Sequence, residues 1–201
     1  VHPTHHEPFE TRFGVPLLEG WAMTETGGGG ILCAMEEPRH RGMRCIGRAD
    51  RAGPPVEIRV VDDAGRDAPP DTPGELLVRA RGTDPRRRFF SGYLKDADAT
   101  SAIWADNWLH TGDVVRRSAD GSVFFMDRKK NIIRRSGENI AAIEVESALV
   151  THSSVHQCAV IAADDPIRGE EVLAAIVVTA DASPSQTLAT ALFDHCRERL
   201  A

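Results

Sequence analysis

Trp108-Leu109-His110-Thr111-Gly112-Asp113 is followed fifteen residues later by Arg128-Lys129-Lys130, and then by Ser136-Gly137-Glu138-Asn139. The stretch lines up a carboxylate, a basic segment and a glycine turn, which together suit a nucleotide-handling site. A carboxylate at a strand start can accept hydrogen bonds from both hydroxyls of a ribose. An arginine on the paired strand can hold the same sugar from the other side. A glycine turn behind a basic segment lets backbone come close to an elongated ligand. Upstream, Trp21-Ala22-Met23-Thr24-Glu25 adds an aromatic ring, a hydroxyl and a second carboxylate.

Around this stretch the hydrophobic pattern predicts strands from about residue 46 to 127. Val56, Ile58 and Val60 alternate with Glu57 and Arg59, the period of a half-buried strand. Leu76-Leu77-Val78 is a second strand. Asp120-Gly121 between Val114-Val115 and Val123–Met126 reads as a hairpin turn. The result is a mostly antiparallel β subdomain. Before it, residues 5–13 suggest a short helix with Phe9 and Phe13 four apart, and Val15-Pro16-Leu17-Leu18 reads as a buried parallel strand. The run Gly27–Gly30 reads as a loop. After Arg135 the period changes. Val145, Ala148 and Leu149 share a helical face, and 155–162 and 172–179 are strand candidates. Ser183-Pro184 predicts a helix start, followed by Leu188, Leu192 and Cys196 on one face. The fold class is therefore α+β, with one domain over 1–127, a second over 128–201 and a hinge near 127–130.

Composition narrows the function classes. The net charge of −6 argues against a general nucleic-acid binder, with Arg86-Arg87-Arg88 and Arg128-Lys129-Lys130 as local exceptions. No apolar run approaches the ~18 residues of a membrane span. The start carries no basic-then-apolar leader, and Cys33, Cys45, Cys158 and Cys196 show no CxxC spacing, so reduced thiols in a cytoplasmic protein are expected. His2, His5 and His6 lack a supporting acid pair and read as solvated surface rather than a metal site. The chain begins at Val1 and ends at Ala201 within a helical pattern, so both ends read as cuts.

Four ordered motifs carry a resemblance to a family. Trp21–Glu25 resembles the aromatic-Gly-x-Thr-Glu run of the adenylate-forming (AMP-binding) enzymes: acyl-CoA synthetases, adenylation domains of peptide synthetases, and luciferases. Gly74-Glu75-Leu76 is similar to their Gly-Glu-Leu strand start. Gly92-Tyr93 with Thr100, leading to Trp108–Asp113, is similar to the segment ending in Trp-x-x-Thr-Gly-Asp. Residues 127–146 are similar to the hinge and the opening of a small C-terminal domain. Arg134–Ile140 and Asp165–Glu171 look most like the acyl-CoA synthetases, including the crotonobetaine/carnitine-CoA ligase group.

The resemblance implies ATP-dependent activation of a carboxylic acid as an acyl-adenylate and transfer to CoA, with ATP/AMP, Mg²⁺ and CoA as the bound species. It implies that Glu25 holds Mg²⁺ and Thr24 touches the adenylate phosphate, and that Trp21 lies against adenine. Asp113 and Arg128 would hold the ribose, Lys130 would be the hinge, and Gly137 would line the pantetheine tunnel. His110 is given a structural role, and Arg134 and Arg135 could meet CoA phosphates. Ala22 stands where the family has glycine. The family's pyrophosphate loop and its C-terminal lysine do not occur in these 201 residues, so the chain alone is expected to be inactive. Two other readings remain: an adenylation domain that loads a carrier protein, and a non-catalytic nucleotide-binding or interaction module.

Overall fold

The computed structural model describes residues 3–27, 32–48, 50 and 56–200. They form two compact units, Val1–Met126 and Asp127–Ala201.

The first unit opens with helix α1 (Pro3–Phe13), where Phe9 and Phe13 pack with ring centroids 4.7 Å apart. His6 is buried, with Nδ1 3.9 Å from Glu10 Oε1, so it is not the solvated residue expected; His5 is exposed. His2 and Gly28–Gly30 lie outside the described residues. The strand predicted over Val15–Leu18 does not form. Instead the Leu17 N–H donates to Glu10 Oε1 (2.8 Å) and the Leu17 carbonyl accepts from Arg39 Nη1 (3.3 Å). With both backbone groups satisfied by side chains there is no ladder to join, and Val15 and Leu18 face solvent.

A two-stranded antiparallel ladder follows, β1 (Gly20–Trp21) on β2 (Leu32–Cys33). The main sheet comprises β3 (Cys45–Gly47), β4 (Val56–Val61), β5 (Pro73–Ala80), β6 (Trp104–Ala105), β7 (Trp108–Arg117) and β8 (Val123–Arg128). Its order is β3-β8-β7-β5-β4, with β6 also on β7, and the β3–β8, β4–β5, β5–β7 and β6–β7 pairings are antiparallel. Helix α2 (Ala97–Ile103) precedes β6 and is capped by Asp96, whose carboxylate accepts from the Ala99 N–H. The period-2 pattern places Val56, Val60, Leu76, Val78, Leu109, Val115 and Val123 in one core with Trp21, Leu32 and Trp104. Val61, Leu77 and Trp108 form a separate strip, and the Arg79 and Arg59 guanidiniums stack on the Trp108 ring at 4.3 and 5.7 Å.

The second unit is α+β as well. β9 (Ile132–Arg135) and β10 (Glu138–Ala141) form a hairpin, α3 (Ala142–Leu149) follows, then β11 (Val155–Asp165), β12 (Gly169–Val178) and α4 (Gln186–Leu200). The sheet order is β10-β9-β12-β11. Ile133, Val145, Leu149, Val155, Val160 and Leu192 make its core. The start of α4 differs from the Ser183-Pro184 expectation: the Leu188 N–H donates to Ser185 Oγ (3.1 Å), so Ser185 is the cap. All four cysteines are free thiols, and burial pushes the Cys45, Cys158 and Cys196 thiols up.

Candidate functional site

Asp113 is not at a strand start; it is the sixth residue of β7. Across β5 and β7 the register shifts, so that Thr111, Gly112 and Asp113 together face Leu76. Such an irregularity re-aims side chains while alternation persists on either side. Leu109, Thr111, Asp113 and Val115 are all buried, which carries a polar pair into an otherwise apolar row. Thr111 Oγ1 donates to the Leu76 carbonyl (2.7 Å) and accepts from the Asp113 N–H (3.1 Å). Gly112 (φ 68°) donates its N–H to Glu75 Oε1 at 3.3 Å.

The Asp113 side chain is 1% exposed. A carboxylate at that depth is costly unless hydrogen-bonded. Trp21 supplies one donor, its indole Nε1–H, 2.6 Å from Asp113 Oδ2. The expected aromatic and ribose residues are thus brought together, although 92 positions separate them. The Trp21 ring is itself 6% exposed and belongs to the main core, a smaller free face than stacking against a base was expected to use.

Residues Thr24–Thr26 form one 3₁₀ turn. Thr26, which the sequence reading passed over, holds it: the buried Thr26 Oγ1 donates to the Met23 carbonyl (2.8 Å). The Gly27 N–H closes on the Thr24 carbonyl (3.1 Å), and a Cβ at Gly27 would fall 2.5 Å from the Arg88 carbonyl oxygen. The backbone there is both left-handed (φ 57°) and pressed against another loop, so glycine is required. Thr24 is left exposed and Glu25 half-buried. The Tyr93 hydroxyl donates to Glu25 Oε1 (2.7 Å), and the Phe90 N–H donates to the Glu25 carbonyl (2.8 Å). The hydrogen bond to Glu25, with burial and the carboxylate's charge, pushes the Tyr93 hydroxyl up to about 12. Tyr93 is the only tyrosine in the sequence and follows Gly92, the signal by which it could have been singled out.

His110 Nδ1 lies 3.5 Å from Glu75 Oε1. Arg128 is the exposed last residue of β8. Lys130 is exposed in the 3₁₀ turn Lys129–Asn131. The turn is anchored by Asp127, a buried carboxylate that sequence reading used only as a boundary. Asp127 Oδ1 accepts from the Arg128 N–H (2.7 Å) and Asn131 Nδ2 (3.0 Å), and Oδ2 accepts from the Ile143 N–H (3.1 Å) in the first turn of α3. Ser136 (φ 51°) and Gly137 (φ 87°) form the two-residue turn between β9 and β10, in the left-handed conformations a tight hairpin demands. Arg135 is engaged, with Nε 2.6 Å from Glu171 Oε1, and the Arg134 N–H donates to Glu170 Oε2 (2.6 Å). The pairing lowers Glu171 and raises Arg135.

Among the described residues no cluster of three or more His, Cys, Asp or Glu side chains could cage a metal ion. The donor set at Thr24 and Glu25 is all oxygen, with one carboxylate. It fits Mg²⁺, which binds few protein oxygens and shares the rest with substrate phosphates and water.

A family model described as "AMP-binding enzyme" matches residues 1–94, and one described as "AMP-binding enzyme C-terminal domain" matches 144–201. The chain belongs to the AMP-binding enzymes. Among AMP-binding relatives, human mitochondrial acyl-coenzyme A synthetase ACSM5 is 38% identical over 180 residues, 89% of this chain and 30% of that protein. The sulfoacetate–CoA ligase of Cupriavidus necator is 35% identical over 98% of this chain and 36% of its own length. Among solved AMP-binding structures, o-succinylbenzoate CoA synthetase from Bacillus subtilis, in complex with its acyl-adenylate intermediate, matches with a TM-score of 0.80 and 28% identity. That match covers 100% of this chain and 38% of the other. The chain spans about a third of the length of the curated AMP-binding relatives it matches. No described helix is long and apolar enough to cross a membrane.

Proposed function

We propose that the chain is part of an AMP-forming acid–thiol ligase that activates a carboxylic acid with ATP and transfers the acyl group to CoA. The observation that supports this best is the buried Asp113, carried to the core side of β7 and bonded to Trp21 of the Trp21–Glu25 motif. A carboxylate whose position is fixed by a rigid sheet suits recognition of a ribose by its two hydroxyls.

In the first step the acid's carboxylate attacks the α-phosphorus of ATP, and pyrophosphate leaves. Asp113 and Arg128 hold the ribose, and Trp21 steadies Asp113 and borders the base. Thr24 donates its hydroxyl to the adenylate phosphate. Glu25 would hold Mg²⁺, which supplies charge neutralisation on the phosphate oxygens when bound. In the second step a CoA thiol attacks the acyl carbon and AMP leaves. The segment around Lys130 is the proposed hinge between the domains 1–127 and 128–201, and Gly137 borders the pantetheine path. Fatty-acid metabolism and a cytoplasmic site of action are part of the same proposal.

Calorimetry with AMP tests the reading directly. The chain is expected to bind AMP, and Asp113→Ala is expected to weaken binding by about tenfold or more, the loss of charge-assisted hydrogen bonds. Equal affinity in both proteins removes Asp113 from the nucleotide site. In a full-length protein, acyl transfer to a carrier domain but not to CoA would point instead to carrier-protein loading.

A further inference from the structure

The two carboxylates of the candidate site are each met by the polar tip of an aromatic side chain: Asp113 by Trp21, Glu25 by Tyr93. The second pairing has its own scaffold. The Tyr93 N–H donates to Thr100 Oγ1 (2.8 Å), and that hydroxyl donates to the Asp96 carbonyl (2.7 Å) in the N-cap of α2. The Asp96 N–H closes on the Tyr93 carbonyl (3.4 Å), and the Phe90 and Tyr93 rings meet edge to face at 5.0 Å. The phenol is therefore positioned by a cap, a turn and a ring, none of which belongs to the Thr24–Thr26 turn. From the other side, Phe90 fixes the backbone of Glu25 while Tyr93 fixes its carboxylate, so one short segment grips the same residue twice.

This grip has a chemical consequence. A glutamate has several rotamers, and an unrestrained one would present either oxygen in many directions at an entropic cost on binding a cation. Oε1 is committed to the phenol, and Oε2 accepts no hydrogen bond among the described residues. We infer that Tyr93 is a positioning residue that presents Glu25 Oε2 to the divalent cation carried by the nucleotide phosphates. The inference rests on the reading of Glu25 as the cation ligand. A tyrosine suits the task because its hydroxyl donates to the carboxylate without adding a charge that would repel the cation.

The test uses the 201-residue chain and Mn²⁺ as probe, with binding of Mn²⁺·ATP followed by electron paramagnetic resonance and binding of AMP followed by calorimetry. Tyr93→Phe keeps the ring and removes the donor. It is expected to weaken Mn²⁺·ATP binding about tenfold, the loss of one hydrogen bond to a charged group, with AMP affinity unchanged. Because Tyr93 is the only tyrosine, a chain labelled at tyrosine Cζ gives one carbon signal, and Glu25→Gln is expected to shift it. Unchanged Mn²⁺·ATP affinity in Tyr93→Phe, or an equal loss for AMP, overturns the positioning role. If Glu25→Gln weakens Mn²⁺·ATP binding while Tyr93→Phe does not, only the inference fails. If Glu25→Gln has no effect, or the wild-type chain binds no Mn²⁺·ATP, the reading of Glu25 fails with it.

Discussion

Asp113 and Trp21 show what a single residue can carry. Each was readable as a site candidate from its motif, but their 2.6 Å bond was not, because it joins strands 92 positions apart. It depends on which side of β7 Asp113 faces, and the register shift at Leu76 governs how Thr111, Gly112 and Asp113 pass β5. Both side chains are buried, so removing the donor leaves a desolvated carboxylate with one partner fewer. Trp21→Phe is expected to destabilise the chain by about 1–3 kcal/mol, read as a lower urea midpoint. Some of that loss is the smaller ring. A cycle of Trp21→Phe, Asp113→Ala and the double variant separates the two contributions, since each single change removes the bond and the coupling energy reports it. A coupling near zero would mean that the bond contributes nothing to the fold.

At the scale of elements, strands were the most legible, because alternation such as Val56, Ile58 and Val60 follows directly from the pleat. The Val15–Leu18 run misled because four neighbouring positions carry no period, and the side chains that satisfy Leu17 come from Glu10 and Arg39. Glu10 is held well below the usual carboxylate range, at about 2, chiefly by its hydrogen bond to Arg39 and next by the Leu17 N–H. A lowered folded value stabilises above the ordinary value of 4.5 and loses that stabilisation as pH falls toward about 2. Glu10→Gln is therefore expected to unfold at a lower temperature than wild type at pH 6. The gap should close as pH approaches 2, in thermal melts at matched ionic strength. Helix caps were legible only to within two residues. Ser183 and Ser185 carry the same hydroxyl, and the Leu188 N–H selects Ser185. Ser185→Ala should lose about 1 kcal/mol of stability, whereas Ser183→Ala should lose little, a difference that paired urea titrations can resolve.

For the whole molecule, the compact units meet in sequence at Met126 and Asp127, just before the exposed run Arg128-Lys129-Lys130. From motif the sequence suggests a boundary at 127–130, and its hydrophobic period changes only after Arg135. Sequence reading could not see that Asp127 fastens the turn to α3, because that requires the Ile143 N–H to return beside it. The anchoring sharpens the hinge proposal. If Asp127 and Asn131 are held and the residues between them absorb the rotation, backbone freedom at Lys130 matters more than its side chain, which is exposed and ends no element. Lys130→Pro fixes φ near −65° and should hold a full-length ligase containing this chain in one pose. Pyrophosphate exchange should then survive if that pose is the adenylating one. Thioester formation from pre-made acyl-adenylate should fall by at least ~100-fold, because a closed conformational step, not the chemistry, would limit it. Lys130→Ala keeps φ free and should spare both half-reactions. Equal impairment of the two steps by proline, or none, would move the hinge away from Lys130 and leave Asp127 as a cap for α3 alone.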